Sequence, residues 1–243
     1  MIPQLQLWHG DCLKLMENIG AETVDLILTD PPYAVLRHRE SIKRHKAKEI
    51  ERYQAWDDMT ISQYYRMLLE FSKVVYSVCR EGATLYCFCA TENAFLLRMA
   101  LERVGWRWIM VNFFHKVNPA PVARGRRPQS SVEAFGMAVK ARGNTFNAEN
   151  FGKVHNWIEC GDDVFEYPIP SGLTRTHPAQ KPLKLMEELI RRSSNEGDLV
   201  LDPFMGSGTT LKACLGLNRR GIGIEIDEAY YNAAKADLER YLL

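Results

Sequence analysis

The chain lacks cysteine pairs of the kind that bind zinc or form a disulfide framework. Its six cysteines include no CxxC pair, so the sequence predicts no metal site. Cys87 and Cys89 alternate with apolar residues and are expected to be buried thiols in a strand. No apolar run approaches the length of a transmembrane helix, and no basic flank followed by an apolar core indicates a leader. These absences favour a protein of the reducing cytoplasm with no membrane partner.

An excess of charge of one sign is absent as well. The 31 Lys and Arg residues balance the 30 Asp and Glu residues, so any nucleic-acid surface has to be a local patch. Residues 36–53 are one such patch, with seven Lys or Arg against three Glu. A solvated, mobile segment and a segment that contacts phosphates are equally good interpretations of it.

Short apolar runs alternate with helical patterns along the chain. This alternation predicts an α/β domain with a mostly parallel sheet and helices on both faces. Seven strands are predicted, at residues 5–10, 24–30, 83–89, 106–114, 132–140, 198–202 and 221–227. Five helices are predicted, at residues 61–80, 92–104, 182–194, 208–217 and 228–242.

A glycine-rich turn follows the predicted strand at 198–202. In DPFMGSGTT, Gly206 and Gly208 allow a tight turn and the close approach of a ligand. Glu225 ends the next strand, where an acid can bind ribose hydroxyls. The turn is not a phosphate cradle, because Thr209 stands where the P-loop needs lysine and the GxGxxG spacing is absent. Asp202 ahead of the glycines favours a cationic or hydroxylated ligand over a pyrophosphate.

A series of motifs along nearly the whole chain resembles a known family. In order, these motifs are HGDCLKLM, VDLILTDPPY, FHKVNPAP, THPAQKPLKLMEELI, DPFMGSGTT and RRGIGIEIDEAYYNAAKADL. Together they resemble the S-adenosylmethionine-dependent DNA amino-methyltransferases of the permuted beta group, in which the catalytic motif precedes the cofactor motif. The resemblance implies a Rossmann-like methyltransferase fold with a mostly parallel seven-stranded sheet. In that fold the strands at 198–202 and 221–227 would lie centrally, beside those at 5–10 and 24–30.

The resemblance also implies a set of residues for the cofactor, S-adenosylmethionine. Asp202 would face the methionine end, Glu225 the ribose diol and Asp11 the adenine edge. Lys181 would be the counter-charge of the methionine carboxylate, although Lys-Pro at 181–182 is also ordinary chemistry for a helix start. The full implied set is Asp11, Cys12, Asp30, His177, Gln180, Lys181, Pro182, Asp202, Phe204, Gly206, Ser207, Gly208, Thr209, Glu225 and Ile226.

The DPPY turn is the predicted catalytic motif. A rigid turn after a strand is its simpler interpretation. Methylation of an exocyclic base amine would give the turn a chemical use. The lone pair of that amine is delocalised into the ring, so the site has to accept both amine hydrogens to make the nitrogen a nucleophile. Asp30 and the backbone carbonyl of Pro31 would accept the two amine hydrogens, Pro32 would keep the turn rigid, and Tyr33 would stack on the base. The base has to leave the duplex to be reached. The second wall of its pocket would come from Phe113, Phe114 or the loop at 117–131.

Other chemistries fit the sequence less well. Aspartate before two prolines is typical of adenine N6 enzymes, whereas serine there is typical of cytosine N4 enzymes, so adenine is favoured over cytosine. Methylation at cytosine C5 needs a Pro-Cys nucleophile, which is absent. The HRE at 38–40 is similar to part of the zinc deaminase signature, but its PCxxC is missing. Methylation of RNA or protein amides would favour Asn-Pro-Pro-Tyr, and a non-catalytic DNA- or cofactor-binding relative would not need Asp30.

Double-stranded DNA is the expected partner. The domain is expected to consist of three regions with different roles. Residues 1–140 are expected to form the catalytic half, with a mobile basic loop at 36–55. Residues 141–176 would be a target-recognition insertion, and residues 177–243 the cofactor-binding half of the same domain.

The expected DNA contacts come from loop residues. Candidates for phosphate or base contacts are Lys116, Asn118, Arg124, Arg126, Arg127, Arg142 and Lys153, and candidates for reading base edges are Asn144, Asn147 and Asn150. The insertion is short, which is consistent with a simple target sequence or with a second subunit, such as the partner in a homodimer. A restriction endonuclease is a further candidate partner.

Overall fold

The computed structural model describes residues 5–33, 59–116, 131–148, 157–158 and 180–241. These residues form one sheet with the strand order β1-β8-β7-β2-β3-β5-β4-β6. The strands are β1 (Leu5–His9), β2 (Val24–Thr29), β3 (Cys79–Cys89), β4 (Trp106–His115), β5 (Val132–Lys140), β6 (Trp157–Ile158), β7 (Leu199–Asp202) and β8 (Arg220–Glu225). The pairs that involve β5 are antiparallel and the other pairs are parallel.

Helices cover both faces of the sheet, as the sequence predicts. They are α1 (Cys12–Leu15), α2 (Ile61–Val78), α3 (Ala94–Val104), α4 (Leu183–Ser193), α5 (Thr209–Gly216) and α6 (Glu228–Tyr241). All seven predicted strands and all five predicted helices are present. The short helix α1 and the two-residue strand β6 were not predicted, and β3 begins at Cys79 rather than at residue 83. In the described part of the chain, no helix is long and apolar enough to cross a membrane.

Two apolar clusters lie on opposite faces of the sheet. Along β5, Ala134 and Ala138 belong to the cluster that packs under α2 and α3, whereas Phe135 and Met137 belong to the one under α4. This alternation follows from the two-residue period of a strand. Since both faces are covered, the central strands are apolar on both sides, which explains runs such as LILT in β2.

The positions of β7 and β8 determine where the loops of the domain meet. Both strands lie between β1 and β2 and run parallel to them. The predicted permuted arrangement is therefore confirmed. The carboxyl ends of β1, β8, β7 and β2 come to one edge of the sheet, which we call the carboxyl edge. In an open α/β sheet this edge is where ligands bind.

The direction of β5 places the segment after it at the opposite edge. Cys89 at the end of β3 is paired with Ala134, and Thr84 with Val139, so β5 starts at the carboxyl edge and runs away from it. Glu133 and Lys140 are seven positions apart along the strand, a rise of about 23 Å. Arg142 is therefore an exposed residue at the far edge, away from the DPPY turn, and this placement does not support its predicted contact with DNA.

Asn147 closes the end of α4 at that far edge. Its side-chain amide donates to the carbonyls of Arg191 at 2.9 Å and Ser194 at 3.1 Å, and its backbone N–H donates to that of Arg192 at 2.8 Å. These groups are among the carbonyls that a helix end leaves without an internal partner. The prediction that Asn147 reads a base edge is wrong, because the amide is held at the end of α4.

Replacement of Asn147 by alanine tests this structural role. The Asn147→Ala variant should lose about 0.5–1.5 kcal/mol of unfolding free energy, because the side-chain hydrogen bonds to the carbonyls of Arg191 and Ser194 are lost. The measurement is urea unfolding followed by circular dichroism. Asn144→Ala, in the same segment, is the matched control and should change stability by less than about 0.5 kcal/mol. Equal stability of the Asn147 variant and the wild type would contradict the assignment.

Candidate active site at the carboxyl edge

Four acidic residues lie in a row along the carboxyl edge. Asp202 and Glu225 end β7 and β8, while Asp30 follows β2 directly and Asp11 follows β1 after one glycine. The strand order places them in the sequence Asp11, Glu225, Asp202, Asp30, with neighbouring strands about 4.8 Å apart. β7 and β2 diverge into connections on opposite sides, which is the kind of switch point where α/β sheets open a crevice.

The glycine turn after β7 connects that strand to α5. Gly206 and Gly208 have φ values of 51° and 76°, in the left-handed region that glycine adopts without a Cβ penalty. The backbone N–H of Met205 donates to the carbonyl of Ile224 at 2.8 Å, which ties the turn to β8. The hydroxyls of Ser207 and Thr209 lie 3.0 Å apart at the start of α5. The turn is therefore ordered by contacts with the neighbouring strand.

Glu225 holds the glycine turn from the side of β8. One carboxylate oxygen accepts from the N–H of Gly206 at 2.9 Å, and the other accepts from the N–H of Asp227 at 2.8 Å. Burial raises the pKa of this carboxyl. A carboxylate has about four acceptor positions, so two remain for the hydroxyls of a diol. Ile226 next to it is 55% exposed and offers an apolar surface beside these acceptors.

Asp202 is a buried carboxyl surrounded by donors. It accepts hydrogen bonds from the Thr29 hydroxyl at 2.8 Å, the Thr210 hydroxyl at 2.6 Å and the N–H of Phe204 at 3.2 Å. Burial raises its pKa to about 6, and these hydrogen bonds act in the opposite direction. The cost of a buried negative charge falls when a cation binds nearby. The crevice beside Asp202 is therefore suited to a positively charged ligand.

Asp11 and Cys12 form the other end of the row. Asp11 is the N-cap of α1 and accepts from the N–H of Leu13 at 3.0 Å. Burial raises the pKa of Cys12 to about 12, so its thiol stays uncharged and serves as packing rather than as a nucleophile. Phe204, on the glycine turn, packs against Phe71 with ring centroids 5.7 Å apart.

Both carboxylate oxygens of Asp30 have partners within the protein. The Tyr33 hydroxyl donates to one oxygen, and the ammonium group of Lys181 is bound to the other. Lys181 also lies 3.3 Å from the Tyr33 hydroxyl and 4.9 Å from the centre of the Phe88 ring. Burial raises the pKa of Asp30, while Lys181 lowers it. The turn therefore holds its acid in a fixed position against a tyrosine and a buried cation.

The structure places the ammonium of Lys181 on Asp30. Its predicted role as the counter-charge of a methionine carboxylate stays a prediction, as do the roles of Gln180 and Pro182 beside it. Pro182 is the N-cap residue of α4, so the sequence Lys-Pro also serves as an ordinary helix start. His177 lies outside the described residues.

The predicted DNA contacts are mostly outside the described part of the chain. Lys116 is described, and its ammonium lies 3.3 Å from a carboxylate oxygen of Glu133 with only 12% of the side chain exposed. Its predicted contact with DNA stays a prediction. Phe114 is 1% exposed and packs edge-on against Phe88 in the core, so it cannot form a wall of a base pocket. The contacts that lie outside the described residues are Asn118, Arg124, Arg126, Arg127 and Lys153.

Two residues at the site were missed by the sequence analysis. The side-chain amide of Asn93 donates to the carbonyl of Tyr33 and so holds the end of the DPPY turn. Glu133 lies 3.4 Å from Lys181, next to the acid of that turn. Asn93 has no distinguishing pattern in the sequence. Glu133 has one, because the strand period places it on the same face as Phe135 and Met137, where an acid is unexpected.

The fold and the site together define a class of protein. The permuted strand order, the glycine turn after β7 and the acid at the end of β8 are those of a Rossmann-like methyltransferase domain. A family model described as DNA methylase, for N6 and N4 methyltransferases, matches residues 24–236. The chain belongs to this DNA methylase family.

Similar proteins agree with this assignment over nearly the whole chain. The chain is 28% identical over 242 residues to the Type II methyltransferase M2.DpnII of Streptococcus pneumoniae, covering 96% of this chain and 89% of that protein. A solved structure of an M1.HpyAVI-SAM complex is 29% identical, with a TM-score of 0.71 and coverage of 97% and 99%. The PvuII cytosine-N4-specific DNA methyltransferase has a TM-score of 0.74 at 19% identity, with 96% and 87% covered, which shows the shared fold alone.

The burial of Asp202 predicts a specific pH dependence of stability. Its pKa of about 6 lies above the value of roughly 3.9 for an unfolded aspartate. Because the folded-state pKa is raised, the contribution of this carboxyl to the unfolding free energy is greatest below about pH 4. That contribution is lost as the pH rises through about 6. In Asp202→Asn this loss is absent, so the unfolding free energy of the variant relative to wild type should rise by about 2–3 kcal/mol from pH 4 to pH 7.

Denaturant unfolding at a series of pH values measures this difference. Thr210→Val is the companion variant. It removes a hydrogen bond that lowers the pKa of Asp202, so its loss of stability should continue to a higher pH than in the wild type. A difference between Asp202→Asn and wild type that does not change with pH would contradict the account of this carboxyl.

Proposed function

We propose that this DNA methyltransferase acts on adenine: it transfers the methyl group of S-adenosylmethionine to the N6 amine of an adenine flipped out of duplex DNA. One observation supports the proposal more than any other. The acid of the DPPY turn, Asp30, lies on the strand next to Asp202 of the glycine turn, so the base-binding motif and the cofactor motif face the same crevice. An aspartate rather than a serine before the prolines favours adenine.

The residues of β7 and β8 fit the cofactor. S-adenosylmethionine supplies an electrophilic methyl carbon on a cationic sulfur. Asp202 supplies a buried negative charge for the cationic end, and Glu225 keeps acceptor positions for the ribose diol. Gly206 and Gly208 leave space at the turn, and Asp11 and Ile226 lie where the adenine end would be bound. The row of acids thus matches a ligand that is cationic at one end and hydroxylated in the middle.

The DPPY turn fits the chemistry of an exocyclic amine. Asp30 accepts one amine hydrogen and the carbonyl of Pro31 accepts the other, which directs the nitrogen lone pair toward the methyl carbon. As the N–C bond forms, the electrons of the S–C bond go to sulfur, and the nitrogen then loses a proton toward Asp30. Burial of Asp30 makes it a better proton acceptor than an exposed aspartate, because its pKa is raised.

Entry of a base has to change the contacts of Asp30. The Tyr33 hydroxyl occupies one carboxylate oxygen and Lys181 the other. The amine would take the place of the tyrosine hydroxyl, and the Tyr33 ring would then be available to stack on the base. Stacking on an aromatic ring contributes about 1–3 kcal/mol per base, which offsets much of the cost of unstacking.

Target recognition is assigned to a part of the predicted insertion. Residues 141–148 leave β5 at the far edge, whereas β6 lies at the carboxyl edge, paired with Phe113 and Phe114 of β4. We propose the 141–176 insertion for target recognition, and of its described residues it is those of β6 that lie at the carboxyl edge. Residues 1–140 and 177–243 form the catalytic and cofactor-binding halves of the same domain.

Expression in cells that lack DNA methylation tests the proposed base and the activity together. Modification-sensitive sequencing of their DNA should reveal N6-methyladenine at one consensus sequence. Cells that express Asp30→Ala should have unmodified DNA, because the amine loses its charged acceptor. N4-methylcytosine in the wild-type cells would overturn the assignment to adenine, and unmodified DNA there would favour a non-catalytic relative.

A further inference from the structure

Glu133 is a charged residue on a mostly apolar face of the sheet. It is the second residue of β5, paired with Phe114 of β4, and it lies on the same face as Phe135 and Met137. The adjacent residue, Ala134, is paired with Cys89 at the end of β3. This register places the Glu133 carboxylate at the carboxyl edge, beside the start of α4 and the DPPY turn.

The carboxylate of Glu133 contacts two lysines. One oxygen lies 3.4 Å from the ammonium of Lys181, and the other lies 3.3 Å from that of Lys116. The Lys181 side chain is 9% exposed and its ammonium is also bound to Asp30. One buried cation is therefore shared between two carboxylates, one from the DPPY turn and one from β5.

The positive charge of Lys181 beside Asp30 affects the charge available for catalysis, and Glu133 offsets it. Methyl transfer places positive charge on the base nitrogen, which a negative Asp30 stabilises. Lys181 alone would neutralise Asp30 and reduce that stabilisation, while a lysine with no second partner would be free to turn away from Asp30. A second carboxylate fixes the direction of the ammonium and returns one negative charge to the group.

We propose that Glu133 is a positioning residue for methyl transfer: by binding Lys181 as a second carboxylate, it holds the lysine in place and offsets its positive charge, so that Asp30 keeps its strength as a hydrogen-bond and proton acceptor. The proposal rests on the role of Asp30 as the amine acceptor and does not depend on which base is methylated. Lys116, at the end of β4, completes the group by balancing the charge of Glu133.

The carboxyls of Asp30 and Glu133 differ in how readily they ionise, which fits the separate roles proposed for them. Burial raises the pKa of Asp30, and the charge of Glu133 raises it further. Lys181 and Lys116 hold the pKa of Glu133 below its usual value, although burial acts against them. Carboxyls whose environments separate their pKa values take different roles in a site. Glu133 stays ionised, whereas Asp30 is able to take up a proton.

Other groups around Asp30 also affect its ionisation. Tyr33 donates to it, and the carboxyl of Asp202 faces it from β7. The buried thiols of Cys87 and Cys89 lie on the neighbouring strand β3 and have raised pKa values, so they remain neutral. Removal of Glu133 leaves these groups in place, and this makes the Glu133 variant informative.

The Glu133→Gln variant tests the proposal, because glutamine keeps the size of the side chain and removes its charge. Turnover is measured as transfer of labelled methyl from S-adenosylmethionine to a plasmid that wild-type enzyme methylates. We expect kcat to fall by about tenfold to a hundredfold, the range produced by a misplaced catalytic group. The acid limb of the pH–rate profile should move to lower pH, because the loss of a neighbouring anion lowers the pKa of Asp30.

A double-mutant cycle shows whether Glu133 acts through Lys181. In a Lys181→Met background the Glu133→Gln change should have little further effect on kcat, since the residue to be positioned is absent. Glu133→Asp should recover part of the lost rate. Glu102→Gln is the matched control: it breaks an exposed ion pair with Arg98 and should leave both kcat and the pH profile unchanged.

Three results would overturn the proposal. They are an acid limb that stays in place in Glu133→Gln, a rate equal to that of wild type, or additive effects in the cycle. An ion pair that only stabilises the fold would lower the unfolding midpoint without moving the acid limb. A wild-type enzyme that transfers no methyl group would instead contradict the proposed function, so the two failures are distinguishable.

Discussion

The parallel pairing of β7 and β8 between β1 and β2 is the constraint on which the active site depends. It brings together groups that are far apart in the chain: the Thr29 hydroxyl donates to Asp202, 173 positions later, in a buried hydrogen bond of 2.8 Å. Without this pairing, the DPPY turn and the glycine turn would be separate loops. With it, four acids at the ends of four adjacent strands line one edge of the sheet, and the DPPY turn and the glycine turn lie side by side there.

Burial of several acids along one edge of a sheet destabilises the fold unless each carboxylate has hydrogen-bond or ion-pair partners. Hydroxyls and backbone N–H groups bind Asp202, and backbone N–H groups bind Glu225. Asp30 instead has an ammonium, and burial raises the pKa of all three carboxyls. The described acids of the site thus have partners within the protein, which supports the proposed binding of a cationic methyl donor and the proposal that the partners of Asp30 change when a base enters. Lys181, the lysine that binds Asp30, has Glu133 as a second acidic partner.

Local patterns predicted much of this arrangement, and long-range register decided the rest. The strands, the glycine turn and the four acids have signatures within ten residues, so the sequence revealed them. The resemblance to a family supplied the order of β7 and β8. The ion pairs of Lys181 depend on the antiparallel register of β5 and could not be predicted locally. The same register places Arg142 and Asn147 at the far edge, although the polar composition of residues 141–148 is similar to that of a recognition loop.

The central claim is that β7 and β8 bind the cofactor while the DPPY turn performs the chemistry. Calorimetric titration of S-adenosylmethionine into wild-type, Asp30→Ala and Asp202→Ala proteins tests it most directly. The account predicts that Asp30→Ala binds with an affinity close to that of wild type and that Asp202→Ala binds at least tenfold more weakly, a loss of about 1.4 kcal/mol or more. Unchanged affinity in Asp202→Ala, or lost binding in a folded Asp30→Ala protein, would contradict this division.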